Sequence, residues 1–153
     1  MNENKLIKQW KKDENALFKG WNFSYLKGRW LEENLTAGYL GLAQKLVMKS
    51  NSVLEMATGG GEFFSKIVKG RKPQKIVAIE GFKPNVTIAK KNLGKFGVKV
   101  VYANETKKLP FKKGEFDLIL NRHGGLNRYS IKEIYRVLSP KGIFLTQQVD
   151  GRN

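Results

Sequence analysis

Three carboxylates stand at matched places in a chain whose charge is otherwise strongly positive. Glu55 opens the run Glu55-Met56-Ala57-Thr58-Gly59-Gly60-Gly61-Glu62, Glu80 lies 21 residues beyond Gly59, and Glu105 is followed by Thr106. An acid placed like Glu80, after the strand that follows a glycine turn, accepts hydrogen bonds from both hydroxyls of a ribose. Glu105 is placed to accept from an adenine amino group. Glu55, beside the glycines, would repel a pyrophosphate and suits a ligand that carries an ammonium group. As a set, the three acids describe a nucleoside site with a pocket for a cationic tail. Asn121 and His123 follow a fourth apolar run, and His123 is the chain's single histidine. Its ordinary pKa makes it the candidate general base.

The glycine run admits other readings, and its neighbours weigh against them. A phosphate-binding loop ends in Gly-Lys-Ser/Thr, whereas here Ser65-Lys66 stand in the reverse order with no glycine before them. The dinucleotide pattern G-x-G-x-x-G is met by Gly59 and Gly61 but has Phe64 in third place. A ring there opposes the close helix–strand packing that the third glycine permits. A nicotinamide oxidoreductase is therefore disfavoured.

These residues need a scaffold that brings strand ends together. The apolar runs Ser52–Ala57, Lys75–Glu80, Val98–Tyr102, Phe116–Leu120 and Ile143–Val149 read as five strands. Between them lie helical patterns at Glu62–Lys69, from Pro84 to Phe96 with Gly97 closing, and at Ser130–Leu138. Ser130 and Glu133 have the spacing of a capping box with Ser130 as N-cap. Ser139-Pro140-Lys141-Gly142 reads as a turn. An earlier helix spans Leu31–Lys49, with Leu35, Tyr39, Leu42, Leu46 and Val47 as its apolar face. The alternation predicts an α/β fold: a doubly wound, Rossmann-like, mainly parallel sheet of about five strands, order 3-2-1-4-5, with helices on both faces. Residues 1–50 form an N-terminal helical segment capping a core of residues 51–153. Ligands of such sheets bind at the carboxyl ends of the strands, where the three acids stand.

Composition excludes several classes. The 153 residues fit one domain, with 41% hydrophobic and 27% charged residues. The absence of cysteine removes disulfides, thiolate metal sites and cysteine nucleophiles, and a single histidine rules out a multi-histidine metal site, so no metal is expected. No membrane span and no secretory signal are read, so a cytoplasmic location is expected. The net charge is +16. It is spread as +4 over residues 1–50 (nine cations, five acids), +7 over 51–100 (ten, three) and +5 over 101–153 (ten, five). Such an excess fits either an anionic partner or a merely solvated surface.

With these residues together, the chain resembles the class I S-adenosylmethionine-dependent methyltransferases of the small type 11 kind. The resemblance is carried by Val53 to Gly61, Ile79-Glu80, Leu109-Pro110-Phe111, Phe116 to Leu120 and Glu133 to Ile143, and covers about residues 50–149. It implies S-adenosylmethionine as cofactor. Glu55, Ala57, Thr58, Gly59 and Gly61 would line the methionine end, Glu80 and Gly81 the ribose, and Glu105 with the Thr106 backbone the adenine. Asn121 would face the sulfonium. Ala57 departs from the family's glycine. The family's seven strands also exceed the five read here, which leaves strand five as an open edge and a homodimer through it as an expectation. Asn121-Arg122-His123-Gly124 lacks the Asn/Asp-Pro-Pro-Tyr/Phe of enzymes that methylate DNA amino groups or glutamine amides. A small-molecule acceptor is therefore the leading expectation. An RNA acceptor, from the charge, and an inactive methyltransferase-like binding protein are the alternatives. Arg29 and Tyr25 are candidates to close over the cofactor, or packing residues.

Overall fold

A computed structural model describes residues 3–16, 24–29, 36–71 and 73–148. Helix α1 (Glu3–Glu14) and a short 3-10 turn, Ser24–Leu26, precede α2 (Thr36–Lys49). The core then runs β1 (Ser52–Met56), α3 (Glu62–Val68), β2 (Lys75–Glu80), α4 (Lys83–Gly94), β3 (Lys99–Tyr102), β4 (Phe116–Arg122), α5 (Arg128–Val137) and β5 (Leu138–Gln147). All four strand pairings are parallel, and the order is β3-β2-β1-β4-β5. The expected topology is therefore the observed one. Residues 31–35 of the expected second helix lie outside the described residues, as does Val149 of the expected fifth strand. No helix among the described residues is long and apolar enough to cross a membrane.

The central strands read as continuous apolar runs because both of their faces are covered. Val53, Ala78, Leu118 and Leu120 face Tyr39, Ala43 and Val47 of α2, with Phe64 and Ile67 of α3 and Leu93 of α4. Leu54, Met56, Val77, Ile79 and Ile119 face Ile134 and Val137 of α5, with Leu109 and Phe116. The α2 face is shifted from expectation. Ala43 is fully buried and Leu42 is exposed, so the contact line runs Tyr39, Ala43, Val47 at steps of four. The small alanine lets the helix lie close to the sheet, and a leucine at the same turn is left outside. Asp117 ties the amino ends of β1 and β4 together by accepting from the Asn51 and Ser52 amides.

Other boundaries also moved for local reasons. Helix α4 ends at Gly94 in a Schellman arrangement: the Val98 amide donates to the Leu93 carbonyl and the Gly97 amide to the Gly94 carbonyl, with Gly97 at φ 75°. Ser130 is not the N-cap of α5. Asn127 is, because its Oδ1 accepts from the Tyr129 and Ser130 amides while the Ser130 hydroxyl takes the Asn127 amide. The capping box thus lies one turn earlier than expected, and Glu133 is left free for a tertiary role. The expected turn Ser139–Gly142 is a bulge within β5: Leu138 pairs with Phe116 and Ile143 with Leu118, so four residues oppose Asp117 alone. Lys141 adopts φ 64° there. The outer edge of β5 has no strand partner among the described residues.

Candidate functional site

The carboxyl ends of β1, β2, β3 and β4 lie side by side because the strands are parallel and neighbouring. The chain leaves β1 through three left-handed residues, Ala57 (φ 53°), Gly59 (φ 61°) and Gly61 (φ 80°). The Thr58 amide donates to the Ile79 carbonyl at 3.0 Å, and Asn92 of α4 donates to the Gly60 carbonyl at 2.9 Å. Gly61 is required twice over: by its φ, and because a Cβ there would lie 2.6 Å from Leu93 Cγ. Phe64 is buried in the core below the turn, which agrees with its weight against the dinucleotide pattern.

Glu80 is buried and tied to this turn. Its Oε2 accepts from the Gly59 amide and its Oε1 from the Phe82 amide, each at 2.7 Å. Burial raises its pKa above the ordinary carboxylate value, the Phe82 and Gly59 amides pull it back, and the nearby Glu105 charge raises it further. Each carboxylate oxygen retains capacity for a second donor. Glu55 is more deeply enclosed. Burial holds its carboxyl well above the ordinary value, opposed by Arg122. The Tyr39 hydroxyl of α2 is buried beside it and is itself pushed up, first by burial and then by the Glu55 charge. Arg122 lies 4.1 Å over the Phe63 ring. The buried polar atoms without a hydrogen-bond partner in this region include the Tyr39 hydroxyl, Glu55 Oε2, Thr58 Oγ1 and Asn121 Nδ2. Leaving such atoms dry costs about 1–3 kcal/mol each. A polar ligand that met an acceptor, a hydroxyl and an amide donor here would recover that cost.

On the far side, the loops after β3 and β4 touch. Glu105 Oε1 accepts from the Gly125 amide at 3.4 Å. The Thr106 amide and hydroxyl both donate to Asn104 Oδ1, so that amide is engaged within the loop. Gly81 lies against Asn104 of the same loop, 3.4 Å from a Cβ built on it. Exposed Phe82 and Tyr102 flank the ends of β2 and β3. Asn121 is fully buried, and its Oδ1 accepts from the Gly124 amide and from Gln148. His123, at φ 61°, donates its amide to the Gln147 carbonyl. Ala57 and His123 are thus left-handed non-glycine residues at the ends of neighbouring strands; strained backbone of this kind concentrates at functional sites. Arg29 pairs with Asp13 of α1 at 2.7 Å. Tyr39, Phe82, Asn104 and Gly124 were not read as site residues from sequence. Tyr39 looked like an ordinary core position, and only the fold sets its hydroxyl beside Glu55.

Two predictions arise from this geometry. A Cβ on Gly124 would lie 2.8 Å from the Ala57 methyl and 2.9 Å from Asn121 Nδ2, so both Ala57 and Asn121 require a glycine at 124. Gly124→Ala is expected to cost about 1–3 kcal/mol through overpacking. Ala57→Gly relieves a left-handed alanine worth about 1 kcal/mol and makes the room back. In urea melts of the two single variants and the double, the double is expected to recover only part of the Gly124→Ala loss, because the Asn121 contact remains; purely additive effects would sink the coupling.

The second concerns pH. The buried Glu55 has a folded-state pKa above its unfolded value near 4.5. Its contribution to stability is complete below that unfolded value and is lost as pH rises through the folded one, at about 1.4 kcal/mol per pH unit within that window. Glu55→Gln, which keeps the shape without the charge, is expected to match the wild type near pH 4 and exceed it at pH 8. Denaturant midpoints across that range test this, and parallel pH profiles would remove Glu55 as the cause.

A parallel sheet of order 3-2-1-4-5 with helices around it is the Rossmann-like arrangement of the methyltransferase folds. Residues 54–146 match the family described as Methyltransferase domain, and the chain belongs to that family. It is 27% identical over 144 residues to a ubiquinone biosynthesis O-methyltransferase of Pelagibacter ubique, covering 91% of this chain and 59% of that protein. The chain therefore spans about three fifths of that relative's length. Among solved structures, a SAM-dependent methyltransferase from Aquifex aeolicus superposes with a TM-score of 0.58 at 22% identity, covering 76% of this chain and 67% of its own. The [4+2]-cyclase SpnF superposes with a TM-score of 0.65 at 20% identity over 90% of this chain and 54% of its own.

Proposed function

We propose that the carboxyl edge of the sheet binds S-adenosylmethionine and that the chain transfers its methyl group to a small-molecule acceptor. The observation that carries this reading is the conjunction of Glu80, buried and bonded to the glycine turn, with the unpaired Glu55 Oε2, Thr58 Oγ1 and Asn121 Nδ2. The residues fit the group. Glu80 would accept from the ribose hydroxyls, Glu55 would take the ammonium group, and Glu105 the adenine amino group, with Phe82 available to cover a ring. Burial raises the pKa of Glu55 and a cation beside it would lower that pKa, so affinity is expected to rise with pH.

When bound, the cofactor supplies a methyl on a sulfonium, whose carbon–sulfur bond breaks as the acceptor's bond to that carbon forms and a neutral thioether leaves. The protein's part is positioning and exclusion of water. Asn121, held by Gly124 and Gln148, presents its amide at the end of β4. His123 is placed in the left-handed region beyond it and would take the proton of an acceptor hydroxyl. An O-methyl acceptor is favoured by the name of the Pelagibacter relative. The second reading is an inactive methyltransferase-like binding protein; the likeness to a protein described as a [4+2]-cyclase is a reason to keep it, since fold alone does not fix chemistry.

Calorimetric titration with S-adenosylmethionine and S-adenosylhomocysteine, with NAD as control, tests the proposal. Micromolar binding of the first two and none of NAD is expected. A folded protein that binds neither would overturn the reading, and binding without transfer to any phenolic or amine acceptor would favour the inactive one.

A further inference from the structure

Several cations gather on one face of the folded chain. The loop between β3 and β4 carries Lys107, Lys108, Lys112 and Lys113, all exposed. Arg136 of α5 binds the Leu109 and Phe111 carbonyls, which lays this loop along α5. The outward side of α5 shows Arg128, Tyr129, Ile131, Lys132 and Tyr135, and no carboxylate. Glu133, on the inward side, is neutralised by Arg136. Where this helix meets the β5 bulge there is a groove of about 790 Å³ lined by Lys113, Tyr135, Leu138, Pro140, Lys141 and Gly142. Tyr135 is 83% exposed at its wall, and Lys141 holds its left-handed φ of 64° at its rim. An exposed aromatic ring and two lysines thus stand together at one groove.

We infer that this groove and the outward side of α5 form a docking face for a single-stranded nucleic acid. Lysines along a concave track meet phosphates, while an exposed tyrosine ring offers a platform on which a base of any identity can stack. A second copy is opposed by charge, since each chain carries +16. A flat anionic membrane does not follow a concave groove, and an acidic peptide lacks the regular pairing of a phosphate with a base at every step that a lysine beside an exposed ring suits. The face lies along α5 and at the amino ends of β4 and β5. It is thus separate from the proposed cofactor site and stands or falls without it.

The test is fluorescence anisotropy of a labelled oligouridylate of about 12 nucleotides, within the site sizes such grooves take. It is run against salt, without cofactor. Binding that weakens with salt is expected. Lys113→Gln/Lys141→Gln is expected to lower the log–log salt slope by about 1.4, at about 0.7 per phosphate contact. Tyr135→Ala, at an exposed position that leaves folding intact, is expected to weaken binding roughly tenfold, with Tyr135→Phe close to wild type. Lys90→Gln/Lys91→Gln on α4, an equal change of charge beside the opposite sheet edge, is expected to change affinity less than twofold. The inference is overturned if the α4 pair matters as much as the groove pair, or if Tyr135→Ala binds like wild type. It is equally overturned if polyglutamate or phosphatidylserine vesicles compete better than the oligonucleotide.

Discussion

Glu80→Ala is expected to weaken S-adenosylhomocysteine binding by at least 100-fold and to lower stability at the same time. Two separate losses are involved. Hydrogen bonds from two ribose hydroxyls to a charged acceptor are each worth about 1.5–3 kcal/mol, or roughly 10²–10⁴-fold together. The Gly59 and Phe82 amides, each 2.7 Å from a Glu80 oxygen, also lose their acceptor. Where they stay dry this costs about 1–3 kcal/mol apiece. The glycine turn then loses its tie to β2, so the rest of the site loosens with it. Glu80→Gln separates the two effects. Its amide oxygen can still take one backbone N–H, so stability should fall less, while its NH₂ meets a hydroxyl pair poorly and affinity should still drop about tenfold. Calorimetry and thermal melts of both variants provide the measurement. An Ala variant that binds like the wild type would sink the ribose assignment; one that merely unfolds leaves the Gln variant to decide.

The sheet was legible in the sequence because each strand is buried on two faces. Val53-Leu54, Ile76-Val77-Ala78-Ile79 and Leu118-Ile119-Leu120 admit no alternation, and glycine or proline punctuates them. The place of Glu80 at the end of the second apolar run was legible for the complementary reason: a carboxylate at the end of a buried run needs donors close by, and it finds them in the Gly59 and Phe82 amides. What was not legible depends on contacts distant in sequence. Asn127 outcompeted Ser130 as N-cap because Glu133, the expected partner, is drawn inward to the Leu109 amide and Arg136. Ala43 replaced Leu42 at the α2 interface because the sheet needs a small residue there. Tyr39 beside Glu55, and Gly124 against Ala57, are pairings across separate elements, invisible to any local pattern.

Arg136→Ala is expected to cost about 2–4 kcal/mol, somewhat under the range for breaking a buried pair because the guanidinium is 28% exposed. Arg136 holds Glu133 through two donors and also satisfies the Leu109 and Phe111 carbonyls. Glu133 in turn accepts the buried Leu109 amide at 2.7 Å. Without the arginine, that carboxylate is left in a nearly closed site with one backbone partner. Urea melts should show a lower midpoint with an unchanged slope. The pH dependence identifies the cause. Arg136 chiefly holds Glu133 below the ordinary carboxylate value, so the pair's contribution is present above the unfolded pKa near 4.5 and is lost as pH falls through the lower folded value. The gap between wild type and variant should therefore narrow as the solution is acidified, the opposite direction to the Glu55 effect. A gap constant with pH would mean that the arginine's packing and carbonyl bonds, rather than its charge on Glu133, hold the loop. In either case the segment released is the one that follows Glu105 and carries four lysines. One arginine on α5 thus holds the segment that joins the adenine side of the proposed cofactor site to the cationic face.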